Sequence, residues 1–443
     1  MSFLTRSAFR LSLCGLLMGA LSARAQNTAA QNTTDDAKSR AKAVREFGKD
    51  GTSDTIPKLE PYLNDQDTDV RREAVKAIVD IGTERSLNPL VKACSDNDAE
   101  IQIRAVDGLV NFYLPGYIKT GMTASLRRVG ASIKSKFTDT NDQVIDAYVQ
   151  VRPEVAEAIG KVARGGASSD GRANAARAAG ILRARPAVPD LEEALRSKDS
   201  GVIYESLIGL QKIRDQSAGP SVAVRLNDLD EKVQVAAIET TGLLDNRAAV
   251  NDLRGILDRT KKTRVKRAAL TAMAEMPDSQ LHGVYNAYLE NKDEGLREAA
   301  AEGLARVKDP ADLANIERLF STDQKTGSRL ALAFALSALG KRGMAEFDPL
   351  RYLVNSLTLA SYHNTAQPYL IELARDPEIR RALYSVFQEP TATKDEKIGL
   401  AQVLAASGGE DSIAPLQALS SDTDHDVSQE GLRALKNLRA RIP

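Results

Sequence analysis

Three carboxylates at alternate positions, Asp65, Asp67 and Asp69, stand where a calcium-binding loop would begin. Such a loop then needs a glycine for its sharp turn and a bidentate glutamate to close the shell. Val70 and Lys76 hold those two places. Asp422, Asp424 and Asp426 repeat the pattern and fail in the same way, at Val427 and Arg433. A short Asp side chain ahead of a helix accepts bonds from its first unpaired amides, so both triplets are expected to be helix-capping turns. The three histidines, His282, His363 and His425, lie far apart in sequence, and none is followed by Glu. Cys94 sits in an apolar helical stripe with Leu90 and Val91 and reads as a small buried hydrophobe. These residues lead us to expect no metal and no cofactor.

Two other patterns bear on catalysis. Ser39-Arg40-Ala41-Lys42, Ser95-Asp96-Asn97 and Lys119-Thr120-Gly121 match, in order, the active-site strings of penicillin-recognising enzymes. In those enzymes the Lys-Thr-Gly string lies on a strand. No stretch here alternates apolar and polar residues as a strand would. Ser95 to Asn97 falls in a turn between helical stretches, too close to Lys119 for that fold. Gly116 to Thr123 has phosphate-loop spacing, but Met122 replaces the lysine that would reach the phosphates. Neither pattern is expected to be catalytic.

The elements that carry these residues repeat. Taking Val70 as an anchor, small or apolar residues follow at Ala74, Val75, Ala77, Ile78 and Ile81, with Gly82 closing the run. Spacings of three and four make one stripe of a helix. Glycine accepts the left-handed conformation that ends a helix. A second stripe, Leu87, Leu90 and Val91, follows, so one copy is a helical hairpin. The stripe recurs after Ile101, Gly171, Val202, Val233, Val265, Leu296, Ser328, Glu396 and Val427, mostly in steps of 31 or 32 residues. The gap from Ser328 to Glu396 leaves room for one degenerate pair around Tyr369 to Phe387. A fixed period of this length marks a solenoid, in which each hairpin buries its apolar face against its neighbours.

Asp, then Val-Arg, then paired alanines and a closing glycine, at about 31 residues, resembles the short HEAT-like repeats grouped with the phycobilisome lyases. The resemblance covers residues 36 to 440. It implies an all-α fold, an α-α superhelix of the HEAT and armadillo kind, with about 12 helical hairpins. Iron-binding hydroxylases built on such repeats use His-Glu pairs, which this chain lacks. A lyase acting on a chromophore would rest on the repeat alone, and a fold does not fix a function.

The first 25 residues are set apart from this array. Arg6 and Arg10 precede an apolar run from Leu11 to Leu21, and Ala23-Arg24-Ala25 is a small-x-small cleavage site before Gln26. That is the order of a secretory signal peptide. Cys14 is preceded by Leu13, where lipid attachment would call for a small residue, so the cleavage site is the better match. Residues 26 to 35 are polar and without period, as in a flexible linker. Removing 1 to 25 leaves 57 basic residues against 60 acidic ones. A near-neutral chain without tryptophan lacks the basic footprint and stacking surface of a nucleic-acid binder. No later stretch is long and apolar enough to span a bilayer. The expected location is periplasmic or secreted.

The period breaks once in the first three quarters of the chain, over an insertion at 115–150. Leu126, Val129, Ile133 and Phe137 recur at helical spacing, flanked by Arg127, Arg128, Lys134 and Lys136. A basic amphipathic helix of this kind suits a protein partner or a peripheral membrane contact; packing against neighbouring repeats would use the same apolar stripe. The expected function is therefore an exported scaffold for protein–protein interaction, holding a protein or peptide and without catalysis of its own. The alternative is a lyase-like enzyme handling a small molecule or chromophore. N-terminal sequencing of the exported protein should begin at Gln26; an intact Met1, or lipid on Cys14, would overturn the leader assignment.

Overall fold

A computed structural model describes residues 36–49, 51–118 and 143–442. Among the described residues every regular element is helical. The insertion's basic stripe, Leu126 to Phe137, lies outside them, as does Lys119-Thr120-Gly121. Two compact units emerge, one of residues 36–118 with 157–178, the other of 143–156 with 179–442.

Most repeats pair a long helix with a shorter one entered through a 3-10 turn; Pro349–Asn355 and Pro377–Val386 have no such turn before them. In the first unit the Thr68–Ile81 helix packs beside Ala99–Tyr113, with Leu87–Ala93 between them in sequence. In the second unit the long helices Ser200–Ile213, Glu231–Leu243, Thr263–Ala274, Glu294–Val307, Thr326–Ala338, His363–Leu373, Lys394–Ser407 and His425–Arg441 follow in one row. The degenerate pair expected between Ser328 and Glu396 is present as His363–Leu373 and Pro377–Val386.

The repeated stripe is the core. Val70, Ala74, Val75 and Ile78 are fully buried, as are Ala300, Leu304 and Ala333 in later copies. One apolar cluster runs from Leu226 to Val403. Small residues set the spacing between neighbours. A Cβ on Gly242 would come within 2.6 Å of the Ala272 backbone, so the two helices meet there almost main chain to main chain. Gly82 ends its helix at φ +59°, the left-handed turn expected of it. Cys94 is buried, and desolvation pushes its thiol up to about 12, far from a reactive thiolate.

The aspartate triplets are capping turns. Asp67 accepts from the amides of Asp69 and Val70 at 2.9 and 3.3 Å. Asp424 does the same for Asp426 and Val427 at 2.9 and 3.2 Å. Asp98, Asp199, Asp230 and Asp293 head their long helices likewise. Three long helices depart from the pattern: Lys262, Lys325 and Tyr362 precede Thr263–Ala274, Thr326–Ala338 and His363–Leu373, and no side chain caps any of them.

In the Val70 and Leu296 repeats the arginine after the anchor ties two turns together. Arg71 Nη1 donates to the Asp65 carbonyl at 2.8 Å, closing its own repeat's turn, and its Nε donates to Asp96 of the next repeat at 2.8 Å. Arg297 does both again, to the Asn291 carbonyl and to Asp323, each at 2.9 Å. Arg40 to Asp65 and Lys397 to Asp422 continue the ladder at 2.7 and 2.8 Å. Where the anchor is followed by Gln102 or Gln234, the amide nitrogen bonds its own turn, at 2.7 and 3.0 Å, and Gln102 Oε1 also accepts from the Ala167 amide at 2.8 Å.

Burial decides what each rung contributes. Arg297 and Asp323 are 14% and 11% exposed, whereas Arg267 and Asp293 are 49% and 22% exposed. Arg297→Ala strands a desolvated carboxylate and two turn carbonyls, and should cost about 2–3 kcal/mol. Arg267→Ala should cost under about 1 kcal/mol. Burial would raise the Asp323 carboxyl, but bonds from Ser328, the Lys325 amide and Arg297 hold it below its ordinary value. A carboxyl depressed on folding contributes fully above its unfolded value, near pH 4, and loses that contribution as pH falls through the folded value. Urea denaturation should therefore show the Arg297→Ala penalty at pH 7 shrinking below about pH 4. A penalty independent of pH would exclude the ion pair as its source.

Candidate functional site

The long helices of the second unit present a face not committed to the apolar core. On it, side chains reach past a neighbouring helix. Arg306, on Glu294–Val307, bonds Glu372 on His363–Leu373 at 2.7 Å, bypassing the Thr326–Ala338 helix between them. Tyr369 Oη donates to Glu302 across the same gap at 2.5 Å. Neighbouring helix axes lie about 8–10 Å apart, so alternate helices in a flat row would be about 18 Å apart. These long side chains meet across the middle helix and bridge the face at this point.

The convergence forms a compact polar knot. Arg306 also meets Glu275 at 3.3 Å and Glu302 at 3.6 Å. Phe334, from the middle helix, stacks on Tyr369 with centroids 4.7 Å apart, and the Arg306 guanidinium lies 5.4 Å from the Phe334 ring. Burial raises the Glu302 carboxyl, with the Arg306 charge opposing it. Burial would lower Arg306, but its bond to Glu372 and the nearby Glu275 and Glu302 hold its guanidinium above its ordinary value. Tyr369 is raised by burial and by Glu302. At pH 7 the knot thus holds a cation answered by Glu372 and Glu275, beside a carboxyl and a phenol that resist ionisation.

Away from the knot, ionisable groups line the same face in contact with water. Glu239 is exposed, yet desolvation raises its carboxyl: protein surrounds the group without covering it. Arg183 is exposed and is lowered first by desolvation, then by Arg214. Lys232 stands 3.8 Å over the Tyr204 ring, and Gln367 donates to Gln402 at 2.7 Å, extending the polar lining along the row.

The last helix of the row is partly occupied by the chain itself. Residues 143–150, the end of the insertion, lie against His425–Arg441. Asp146 receives Arg433 Nε and Nη2 at 3.0 and 2.9 Å, and Asn437 Nδ2 at 3.1 Å.

The histidines stay apart in role. His282 Nε2 lies 2.9 Å from Asp312, and His363 Nδ1 meets the Leu357 carbonyl at 2.8 Å. Among the described residues no three His, Cys, Asp or Glu side chains are arranged to hold a metal ion. Asp96, from the Ser-Asp-Asn string, is engaged by Arg71. The partner-binding residues expected from the sequence, Leu126, Arg127, Arg128, Val129, Ile133, Lys134, Lys136 and Phe137, lie outside the described residues. Sequence reasoning singled out none of Glu302, Arg306, Tyr369 or Glu372. Their only signal is an offset of 66 or 67 residues, two repeat periods, between opposite partners.

HEAT repeats are matched at residues 28–110 and 264–337. No curated protein sequence matches the chain. Solved structures it is similar to include importin beta, at 13% identity and a TM-score of 0.37 over 87% of this chain and 57% of that one. Others are human deoxyhypusine hydroxylase, at 17% identity and a TM-score of 0.28 over 65% and 96%, and CpcE with CpcF of phycocyanin lyase from Nostoc sp. PCC7120, at 16% and 0.29 over 63% and 93%. The chain thus spans little more than half the length of importin beta, and at such identity each likeness concerns architecture alone. Helix pairs in a 31-residue phase, carrying two matched stretches, identify this chain as a HEAT-repeat α-solenoid.

Proposed function

We propose that the chain is an exported scaffold whose long-helix face holds a protein or peptide partner, without catalysis of its own. The observation that carries this reading is the row of exposed polar groups on the long-helix face, Glu239 and Lys232 among them, above a buried core. Such groups steer and orient a partner while the core residues beneath stay committed to one another. The Arg306 knot supports the same reading, because its charges are spent on holding three helices together. Export rests on the leader-like order of Arg6, Arg10, the apolar run and Ala23-Arg24-Ala25. The basic stripe from Leu126 to Phe137 is proposed as a further contact for a partner or an anionic surface.

A photo-crosslinking residue placed at Glu239 should capture a discrete partner in the native compartment. The same residue at Asn251, exposed on the short Val250–Arg259 helix, should not. Capture from Asn251 alone, or from neither, would count against the long-helix face.

One observation favours the enzyme reading instead. Glu302 is a buried carboxyl, raised and bonded to a phenol, and groups of this kind serve as general acids. Glu302→Gln separates the two readings. For the scaffold, crosslinking from Glu239 should persist at wild-type yield; an enzyme should lose the conversion of a compound in cell extract that wild-type protein consumes.

A further inference from the structure

The segment 143–150 is bound as a ligand would be bound. It has no regular secondary structure, yet Ile145 is buried. Asn437 recognises main chain and side chain together, accepting from the Ala147 amide at 2.7 Å while donating to Asp146 at 3.1 Å. Arg433 grips the Asp146 carboxylate with two nitrogens, at 3.0 and 2.9 Å. Lys436 lies 5.9 Å from the Tyr148 ring. Tyr148 remains 43% exposed, beside Ile398 and Leu432, and those three line one cleft with Gln429, Arg433 and Lys436. At its other end the segment meets the first helices of the same unit. The Ile145 amide donates to the Ile181 carbonyl at 3.0 Å, and Lys212 donates to the Gln143 carbonyl at 3.2 Å.

We propose that the face of His425–Arg441 carrying Arg433, Lys436 and Asn437 is a peptide-binding site for an extended segment with a carboxylate two residues before an aromatic ring, and that residues 143–150 are its resident, displaceable occupant. The chemistry sets both specificity and strength. Asn437 reads the backbone, Arg433 selects the carboxylate, and the Lys436–Leu432 cleft takes the ring. The hold is modest, because Arg433 is 52% exposed and the ion pair is open to salt. Tethering supplies the rest, since a covalently attached ligand acts at an effective concentration in the millimolar range. A partner segment of the same chemistry enters only by displacing the strap. This deepens the binding reading by naming a ligand class. Its test uses the chain's own sequence, so it can fail while crosslinking at Glu239 succeeds, and the reverse.

The probe is a labelled peptide of residues 143–150, with a control carrying Asp146→Ala. Asp146→Lys in the protein evicts the strap and leaves the receiving face intact. The peptide should bind this variant at least about tenfold more tightly than it binds wild type, since the tethered competitor is gone. The control peptide should not bind, and Arg433→Ala added to the variant should abolish binding. Equal binding to wild type, or none to a folded Asp146→Lys protein, overturns the proposal. Hydrogen exchange gives a reading that does not depend on that variant. Asn437→Ala should remove protection of the Ile145 and Ala147 amides, and unchanged protection overturns the assignment. A wild-type dimer that Asp146→Lys converts to monomer would show the segment exchanged between copies, and would overturn the resident role.

Discussion

The arginine that follows the Val70 and Leu296 anchors is the clearest form of the constraint on which the stacking depends. A helical hairpin ends in a turn whose carbonyls have no helical partner, and each copy faces that problem again. Arg71 and Arg297 answer it with one nitrogen and spend the others on the aspartate of the following repeat. One side chain thereby fixes the shape of a turn and the offset between hairpins. The apolar stripe alone would not do this, because stripes of Ala, Val and Leu tolerate sliding. Directional bonds to a partly buried carboxylate do not. The same aspartates cap the next helix or support the residue that does, as Asp65 accepts from the Asp67 amide at 2.9 Å.

A second kind of tie joins alternate helices in the second unit. Arg306 bonds Glu372 across the Thr326–Ala338 helix. Ala331, Ala335 and Ala338 share one side of that helix with Phe334, which stacks on Tyr369 in the knot. The ladder and the knot divide the work: the ladder joins nearest neighbours, and the knot joins helices two repeats apart. Exposed groups such as Glu239 lie on the same long helices, above a buried core.

Much of this was legible in the residues, and the parts that were not share a cause. The period, the buried stripe, the capping aspartates and the role of Gly82 are local, and each copy restates them. The ladder was visible in principle, since Arg40, Arg71 and Lys397 each precede their aspartate by 25 residues. Attention to anchors alone passes over a pairing between unlike positions. The knot was not legible, because Glu302 and Tyr369 meet across an intervening helix, a contact no single repeat encodes. Nor was the seat of 143–150, whose partner Arg433 lies 287 residues away in a helix that otherwise fits the template. Lys262 and Lys325 show the template's tolerance, for their helices form without a capping side chain because packing outweighs one terminal bond.

A linear repeat array has two free ends, and thermal fraying begins there because a terminal repeat has only one neighbour. The strap alters that statistic for the second unit. Through Gln143 and Ile145 it holds the first helices, and through Asp146 and Ala147 it holds the last. The terminal repeat therefore gains a contact of very high sequence separation. Such a contact forms late in folding, when the loop-closure entropy of the whole unit has been met by the stacked repeats. Once made, it couples the two ends, so that loosening one loosens the other. A chain assembled from near-neighbour interfaces acquires one step of all-or-none behaviour, and that step lies in a single short segment.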